Sequence, residues 1–113
     1  MVSFKILLIT LALLTVCSTC AAESLYIFSA SWCPPCRRLK SFLVKDKDIK
    51  NQYDITYIDI DKFPELAKKF RVKSVPTSII LDEGTEMKRI IGYNGNSYQH
   101  QLNNYKLEKL KNE

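Results

Sequence analysis

The sequence predicts one α/β domain in which a central four-stranded mixed sheet is flanked by helices, in the order β-α-β-α-β-β-α. Apolar runs of strand length alternate along the chain with segments whose apolar residues recur every three or four positions. The connections between them are short, and no repeat, linker or low-complexity stretch interrupts the pattern. A chain of 113 residues with 46% apolar content has room for a single domain and lies outside the disordered and fibrous classes.

The first strand is predicted at residues 25–28, an apolar and aromatic run that ends in small residues. A helix is predicted to begin near Cys33, because Pro34 and Pro35 are tolerated in a first turn, where the backbone amides have no intrahelical partner. The apolar residues of this helix recur at helical spacing, on a face formed by Cys36, Leu39, Phe42 and Leu43. The polar stretch 46–54 is predicted to be a loop that returns the chain to the sheet.

Three further strands and a short helix are predicted in the second half of the chain. The strands lie at 55–60, 78–81 and 87–91, with a turn at 82–85 between the last two. Pro64 opens the short helix, in which three apolar residues are expected to face inward: Leu66, Ala67 and Phe70.

A closing helix is predicted from Ser97 onward, after a break at residues 92–95. Its apolar residues lie roughly on one face, which is formed by Tyr98, Leu102, Tyr105 and Leu110. Tyr93 is also expected to serve packing. His100 falls on the polar side of this helix and is expected to be a surface residue rather than a ligand.

The first 22 residues have the layout of a secretory signal peptide. Lys5 supplies the positive charge, residues 6–16 form the apolar run, and small residues follow, with Cys20 and Ala22 at the −3 and −1 positions. Cleavage before Glu23 would leave a domain spanning 23–113, exported to the periplasm or secreted. The apolar run is shorter than the ~20 residues that span a bilayer.

Two alternatives for this leader remain open. The segment could stay uncleaved as a membrane anchor. It could also be a lipoprotein signal with Cys17 as the lipidated residue, although the bulky Val16 directly precedes that cysteine.

The four cysteines form two C-x-x-C pairs, Cys17/Cys20 and Cys33/Cys36, a pattern that also resembles a zinc ribbon. Leader cleavage would remove the first pair, and His100 could add at most one ligand to the second. The sequence therefore predicts no metal site, unless the leader is retained.

Charge gives little indication of a ligand. The formal net charge is +5, but basic and acidic residues are interspersed, so no nucleic-acid partner is predicted. Asp59 and Asp61 alternate at the end of the second strand, where a carboxylate pair could bind a cation. We expect them instead to solvate the strand end and to cap the next helix.

A strand is followed by Trp32-Cys33-Pro34-Pro35-Cys36 and a helix, and Val75-Pro76-Thr77 comes before a later strand. This order of motifs along the chain resembles the thioredoxin superfamily. The resemblance spans essentially all of 23–113, and Gly92 fits it as well. It implies a thioredoxin-like sandwich and a thiol–disulfide oxidoreductase that needs no cofactor. Its redox centre would be a Cys33–Cys36 disulfide, and its partners would be client proteins with disulfides or thiols.

The resemblance assigns roles to the two cysteines. Cys33 is the nucleophile, and its thiolate is favoured by the positive end of the helix macrodipole and by Arg37. Cys36 is the resolving cysteine, which attacks the mixed disulfide and releases the reduced client. We expect one sulfur to be exposed and the other shielded.

Three further residues are expected to form the substrate-binding surface. Trp32 is expected to pack beside the cysteine pair. Pro76 resembles the cis-proline of the superfamily, which places the backbone of Val75 against Cys33, where it can pair with an extended client strand.

Two departures from the superfamily pattern stand out. Thioredoxins begin with an extra strand and helix, whereas only Glu23 and Ser24 precede the first strand predicted here. The buried aspartate six residues before the first cysteine is replaced by Ile27, and the lysine that accompanies it by Tyr57. The proton of Cys36 is therefore expected to leave by another route, such as water.

The predicted direction of electron flow depends on Pro34 and Pro35, which tune the reduction potential of the Cys33/Cys36 pair. Neither offers an imidazole or a backbone N–H to stabilise the thiolate, which favours a reductase, whereas Arg37 acts in the opposite direction. A monomeric reductase of protein disulfides, recharged by a membrane-embedded thiol donor, is the predicted function. The alternatives are a disulfide-introducing oxidase of the same fold and a cysteine-based metal-binding module or metallochaperone.

Overall fold

The computed structural model describes residues 22–113, so the predicted signal peptide lies outside the described residues except for Ala22. The described chain forms four strands and four helices. In chain order these are β1 (Glu23–Ser29), α1 (Pro34–Lys45), α2 (Lys47–Gln52), β2 (Tyr53–Asp59), α3 (Pro64–Lys69), β3 (Thr77–Asp82), β4 (Thr85–Ile91) and α4 (Gly95–Asn112).

The four strands form one mixed sheet in the order β2-β1-β3-β4. β1 and β2 are parallel, because helical segments carry the chain back across the sheet between them, and β3 is antiparallel to both β1 and β4. The predicted fold class, a four-stranded mixed sheet flanked by helices, is confirmed.

The two faces of the sheet bury separate apolar clusters, since successive side chains of a strand point to opposite faces. Leu25 and Ile27 of β1 belong to the cluster that contains Leu39 and Leu43 of α1. Phe28 belongs to the opposite cluster, against which the expected inward residues of α3 and its end pack: Leu66, Ala67 and Phe70. Helix α1 is thereby fixed against the sheet, and with it the position of both cysteines of its first turn.

The prediction of a loop at 46–54 is wrong, because the structure has helix α2 and the start of β2 there. Asp46 caps α2 with a carboxylate oxygen that accepts the N–H of Ile49 at 3.1 Å, and the side chain of Ile49 is buried. Tyr53 is also buried, and β2 begins at this residue. Two apolar anchors in a polar stretch are enough to order it.

The expected inward face of the closing helix extends only to Tyr105. Tyr98, Leu102 and Tyr105 are buried as predicted, whereas Leu110 is 59% exposed, so its assignment to this face was wrong. The second half of the helix is also held to β1 by polar contacts. The Tyr105 hydroxyl and the Lys109 ammonium both donate to the carboxylate of Glu23.

Tyr98 makes a buried hydrogen bond, in which its hydroxyl donates to Ser78 Oγ at 2.9 Å. We expect Tyr98→Phe to lower the free energy of unfolding by about 1–2 kcal/mol, because Ser78 loses its buried partner. Urea unfolding measures the change. Tyr93→Phe is the matched control: its ring packs against Tyr98, and its hydroxyl makes no hydrogen bond within residues 22–113. Equal losses in the two variants would contradict the assignment.

Within the described part of the chain, no helix combines the length and the apolarity needed to cross a bilayer.

Candidate active site

A disulfide joins Cys33 and Cys36 at the junction of β1 and α1, with the two Cα atoms 5.3 Å apart. Cys33 is the N-cap residue of α1, and Pro34 and Pro35 occupy the first turn. Cys36 lies one turn into the helix, on the face that packs against the sheet. The bonded pair is the one that the resemblance implies.

The Cys33 sulfur lies at the positive end of the α1 macrodipole, where negative charge is favoured. Its Sγ accepts the backbone N–H of Cys36 at 3.3 Å. Proline has no N–H, so this amide is the first in the helix that can reach the sulfur. Pro34 and Pro35 therefore remove two donors from the first turn and leave one in place.

Cys33 and Cys36 are almost equally buried, with 3% and 4% of their surface exposed. The expected contrast between an exposed and a shielded residue is therefore wrong for the disulfide form. Val75 and Ile60 pack against the small cluster that both cysteines form with Ala30.

Val75 and Pro76 lie against the disulfide from the β3 side. Their peptide bond is cis, Pro76 is buried, and the carbonyl oxygen of Val75 is 3.8 Å from Cys33 Sγ. The expected placement of the Val75 backbone against Cys33 is therefore seen. Its role in binding an extended client stays a prediction.

Two contacts from β4 and its end hold this segment in place. The N–H of Gly92 donates to the carbonyl of Pro76 at 2.7 Å, and the φ angle of +80° at Gly92 is one that favours glycine. The guanidinium of Arg89 donates to the carbonyl of Phe70 at 2.6 Å, near the start of the segment that leads to Val75. Gly92 therefore helps to hold the Val75–Pro76 segment in place.

Trp32 directly precedes Cys33 and is 64% exposed, and its packing against the cysteine pair stays a prediction. Its indole Nε1–H donates to Asp61 Oδ2 at 2.9 Å. The expectation that Asp61 caps the next helix is wrong, because Phe63 is the N-cap residue of α3 and makes no side-chain cap. Sequence reasoning missed this contact, although the parallel register that pairs Ser29 with Asp59 places Asp61 next to residues 31 and 32.

A cavity of about 370 Å³ opens on the inner side of Cys36. Strands β1 and β2, the turn after β1 and helix α1 form its walls, with lining residues Ile27, Ser29, Ala30, Ser31, Cys36, Arg37, Lys40, Tyr57 and Asp59. Ile27 and Tyr57 are direct neighbours across the strand pair, and burial raises the pKa of the Tyr57 phenol. Arg37 thus lies beside Cys36, and its influence on Cys33 stays a prediction.

The other candidate ligands are not drawn together. His100 is exposed and lies 3.2 Å from Asn104 through Nδ1, which agrees with a surface residue. Among residues 22–113 no group of three or more histidine, cysteine, aspartate or glutamate side chains is placed to hold a metal ion. Cys17 and Cys20 lie outside the described residues.

Comparison with known proteins gives the site its context. The family model described as Thioredoxin matches residues 16–106. The chain belongs to the thioredoxin family. Thioredoxin H2 of Arabidopsis thaliana is 42% identical to it over 65 residues, which are 58% of this chain and 49% of the relative.

Two solved thioredoxins have the same fold. Oxidised mitochondrial thioredoxin 3 of Saccharomyces cerevisiae superposes with a TM-score of 0.62 at 27% identity, over 69% of this chain and 74% of its own. Thioredoxin NaTrxh of Nicotiana alata superposes with a TM-score of 0.67 at 23% identity, over 77% of this chain and 76% of its own. The chain spans about half the length of the curated relatives it matches.

Proposed function

We propose that this thioredoxin-family protein reduces disulfides in client proteins with the Cys33/Cys36 dithiol. The observation that carries the proposal is the position of Cys33 Sγ, at the amino end of α1 and within 3.3 Å of the Cys36 N–H. A thiolate formed there is stabilised by the helix and by a backbone donor, and the thiolate is the form that attacks disulfides.

The reaction proceeds in two exchanges. The Cys33 thiolate attacks one sulfur of the client disulfide, a bond forms between them, and the other client sulfur leaves as a thiolate. Cys36 then loses its proton and attacks Cys33 Sγ, which closes the Cys33–Cys36 disulfide and expels the second client thiolate. Two electrons have passed from the dithiol to the client, and each client thiolate takes a proton.

Val75 and Trp32 form the client-binding surface in this proposal. The Val75 carbonyl lies beside Cys33 Sγ, so an extended client strand that paired with this backbone would bring its disulfide to the sulfur. The Trp32 indole, next to Cys33 in the chain, is exposed and held by Asp61, so it is available to the same client. One chain contributes every one of these groups, so a monomer suffices.

Reduction is favoured over oxidation because the first turn of α1 lacks two amide donors. Each missing donor raises the free energy of the thiolate, which lowers the potential of the pair, since 30 mV corresponds to about 1.4 kcal/mol. The remaining Cys36 N–H and the positive charge of Arg37 act in the opposite direction. The alternative is a disulfide-introducing oxidase, whose reduced form would be the more stable one.

We further propose that the protein acts outside the cytoplasm. Support comes from the sequence of residues 1–22, with Lys5, an apolar run and small residues before Glu23. In those oxidising surroundings a reductase must be recharged, and a membrane-embedded thiol donor would fill that role. A leader retained as an anchor or lipidated at Cys17 would keep the same domain at the membrane surface.

Insulin reduction tests the activity. We expect the full chain, kept reduced by dithiothreitol, to precipitate insulin B chains faster than dithiothreitol alone, and metal analysis of the same sample to find no bound ion. Protein alkylated with iodoacetamide is the matched control. Metal-loaded protein that leaves the rate unchanged would overturn the proposal in favour of a metal-binding module.

A further inference from the structure

Cys36 must lose a proton before it can attack the mixed disulfide, and this requirement rests on the proposed function. The residue is 4% exposed and packs in an apolar cluster, so bulk solvent is a poor acceptor for its proton. Ile27 and Tyr57, neighbours on β1 and β2, line the same cavity as Cys36. Isoleucine cannot accept a proton, and a phenol whose pKa is raised by burial stays neutral at physiological pH.

A carboxylate lies two residues further along the same face of β2. Asp59 follows Tyr57 at the strand period of two, pairs with Ser29 of β1, and lines the cavity that also contains Cys36. Its Oδ1 accepts the Asp61 N–H at 2.9 Å, while Oδ2 accepts no hydrogen bond within the described chain. One oxygen therefore holds the side chain in place, and the other is free to take a proton.

The other titratable groups around the cavity do not compete with Asp59. Helix α1 contributes the cations Arg37 and Lys40, β2 contributes Tyr57, and the lining residues from β1 and the turn after it do not titrate. Lys40 Nζ lies 5.3 Å from the centroid of the Tyr57 ring, and no ion pair joins it to Asp59 in residues 22–113. Asp59 is thus the one base among the lining groups, and two nearby positive charges favour a thiolate on Cys36.

We propose that the Asp59 carboxylate accepts the proton of Cys36, through water in this cavity, when Cys36 attacks the mixed disulfide. The cavity of about 370 Å³ has room for several waters, and its charged and hydroxyl side chains offer them partners. The Cys36 S–H bond breaks as the carboxyl O–H bond forms, and the thiolate then forms the Cys36–Cys33 bond while the Cys33–client bond breaks. The protonated Asp59 returns its proton to the departing client thiolate or to solvent. Asp59 is therefore a carboxylate again at the end of the cycle.

Ellman's reagent separates the two exchanges in one experiment. Reduced protein releases a first thionitrobenzoate when Cys33 attacks and a second when Cys36 resolves the mixed disulfide. In Asp59→Asn we expect an unchanged first phase and a second phase slowed at least about tenfold at pH 7. The deficit should shrink as the pH rises, because hydroxide then replaces the carboxylate as the acceptor of the Cys36 proton. Asparagine keeps the oxygen that accepts the Asp61 amide, so the substitution removes only the base.

Asp54→Asn is the matched control, because Asp54 lies on the same strand, is exposed and does not line the cavity. It should match the wild type in both phases. A second phase in Asp59→Asn that equals the control, or that is slowed equally at every pH, would overturn the role of Asp59. A wild type without a fast first phase would instead overturn the proposed function, on which the inference rests.

Discussion

Replacing Cys36 with alanine is expected to turn the protein into a trap that stays covalently attached to its client proteins. Cys33 can still attack a client disulfide, because its position at the amino end of α1 and the Cys36 backbone N–H do not depend on the side chain of residue 36. The sulfur that would resolve the mixed disulfide is gone, so the adduct persists.

The adducts would be measured by incubating the variant with extracts of exported proteins, quenching with iodoacetamide, and running non-reducing gels followed by mass spectrometry. We expect discrete bands that disappear on reduction, and insulin turnover lowered by about 10³-fold or more relative to the wild type. The Cys33→Ala/Cys36→Ala double variant is the matched control and should trap nothing. Equal adducts in the two variants would contradict a nucleophilic Cys33.

Cys33→Ser is expected to abolish disulfide reduction while leaving the fold intact. Serine is a preferred N-cap residue, so its hydroxyl can accept the Cys36 N–H in place of the sulfur. A hydroxyl is not ionised near neutral pH and does not attack disulfides, so insulin reduction should fall by at least about 10³-fold. The first phase with Ellman's reagent should disappear with it.

Stability provides the control for this variant. Its thermal unfolding should match that of the reduced wild type, because both lack the Cys33–Cys36 disulfide and keep the α1 cap. A variant that folds this way yet keeps more than about a tenth of the wild-type turnover would show that Cys36 attacks clients directly. The two cysteines would then have exchanged their assigned roles.

Periodic apolar residues made most of the fold predictable. Leu39 and Leu43 placed α1 on the sheet, and the runs around Phe28 and Ile80 placed the strands, because burial of one face depends only on local spacing. Helix α2 was missed because it contains a single buried residue, Ile49, and depends on a cap from Asp46. Short elements held by one cap leave too little periodicity to detect.

The site was predictable where it depends on local sequence and less so where strands meet. The cysteine pair follows from its place between a strand and a proline-led helix. The Trp32–Asp61 bond and the cavity shared by Cys36 and Asp59 depend on the parallel register of β1 and β2. That register brings residues about thirty positions apart side by side, a placement that spacing along the chain does not encode.

The reduction potential of the Cys33–Cys36 pair tests the central claim most directly, because it fixes the direction in which electrons flow. The full chain would be equilibrated in glutathione buffers of graded ratio, trapped with a thiol-specific reagent, and its oxidised fraction fitted. A potential near or below about −230 mV is expected, as for reductases of this fold. A potential near about −120 mV, at the strong-oxidant end, would contradict the account and identify a disulfide-introducing oxidase.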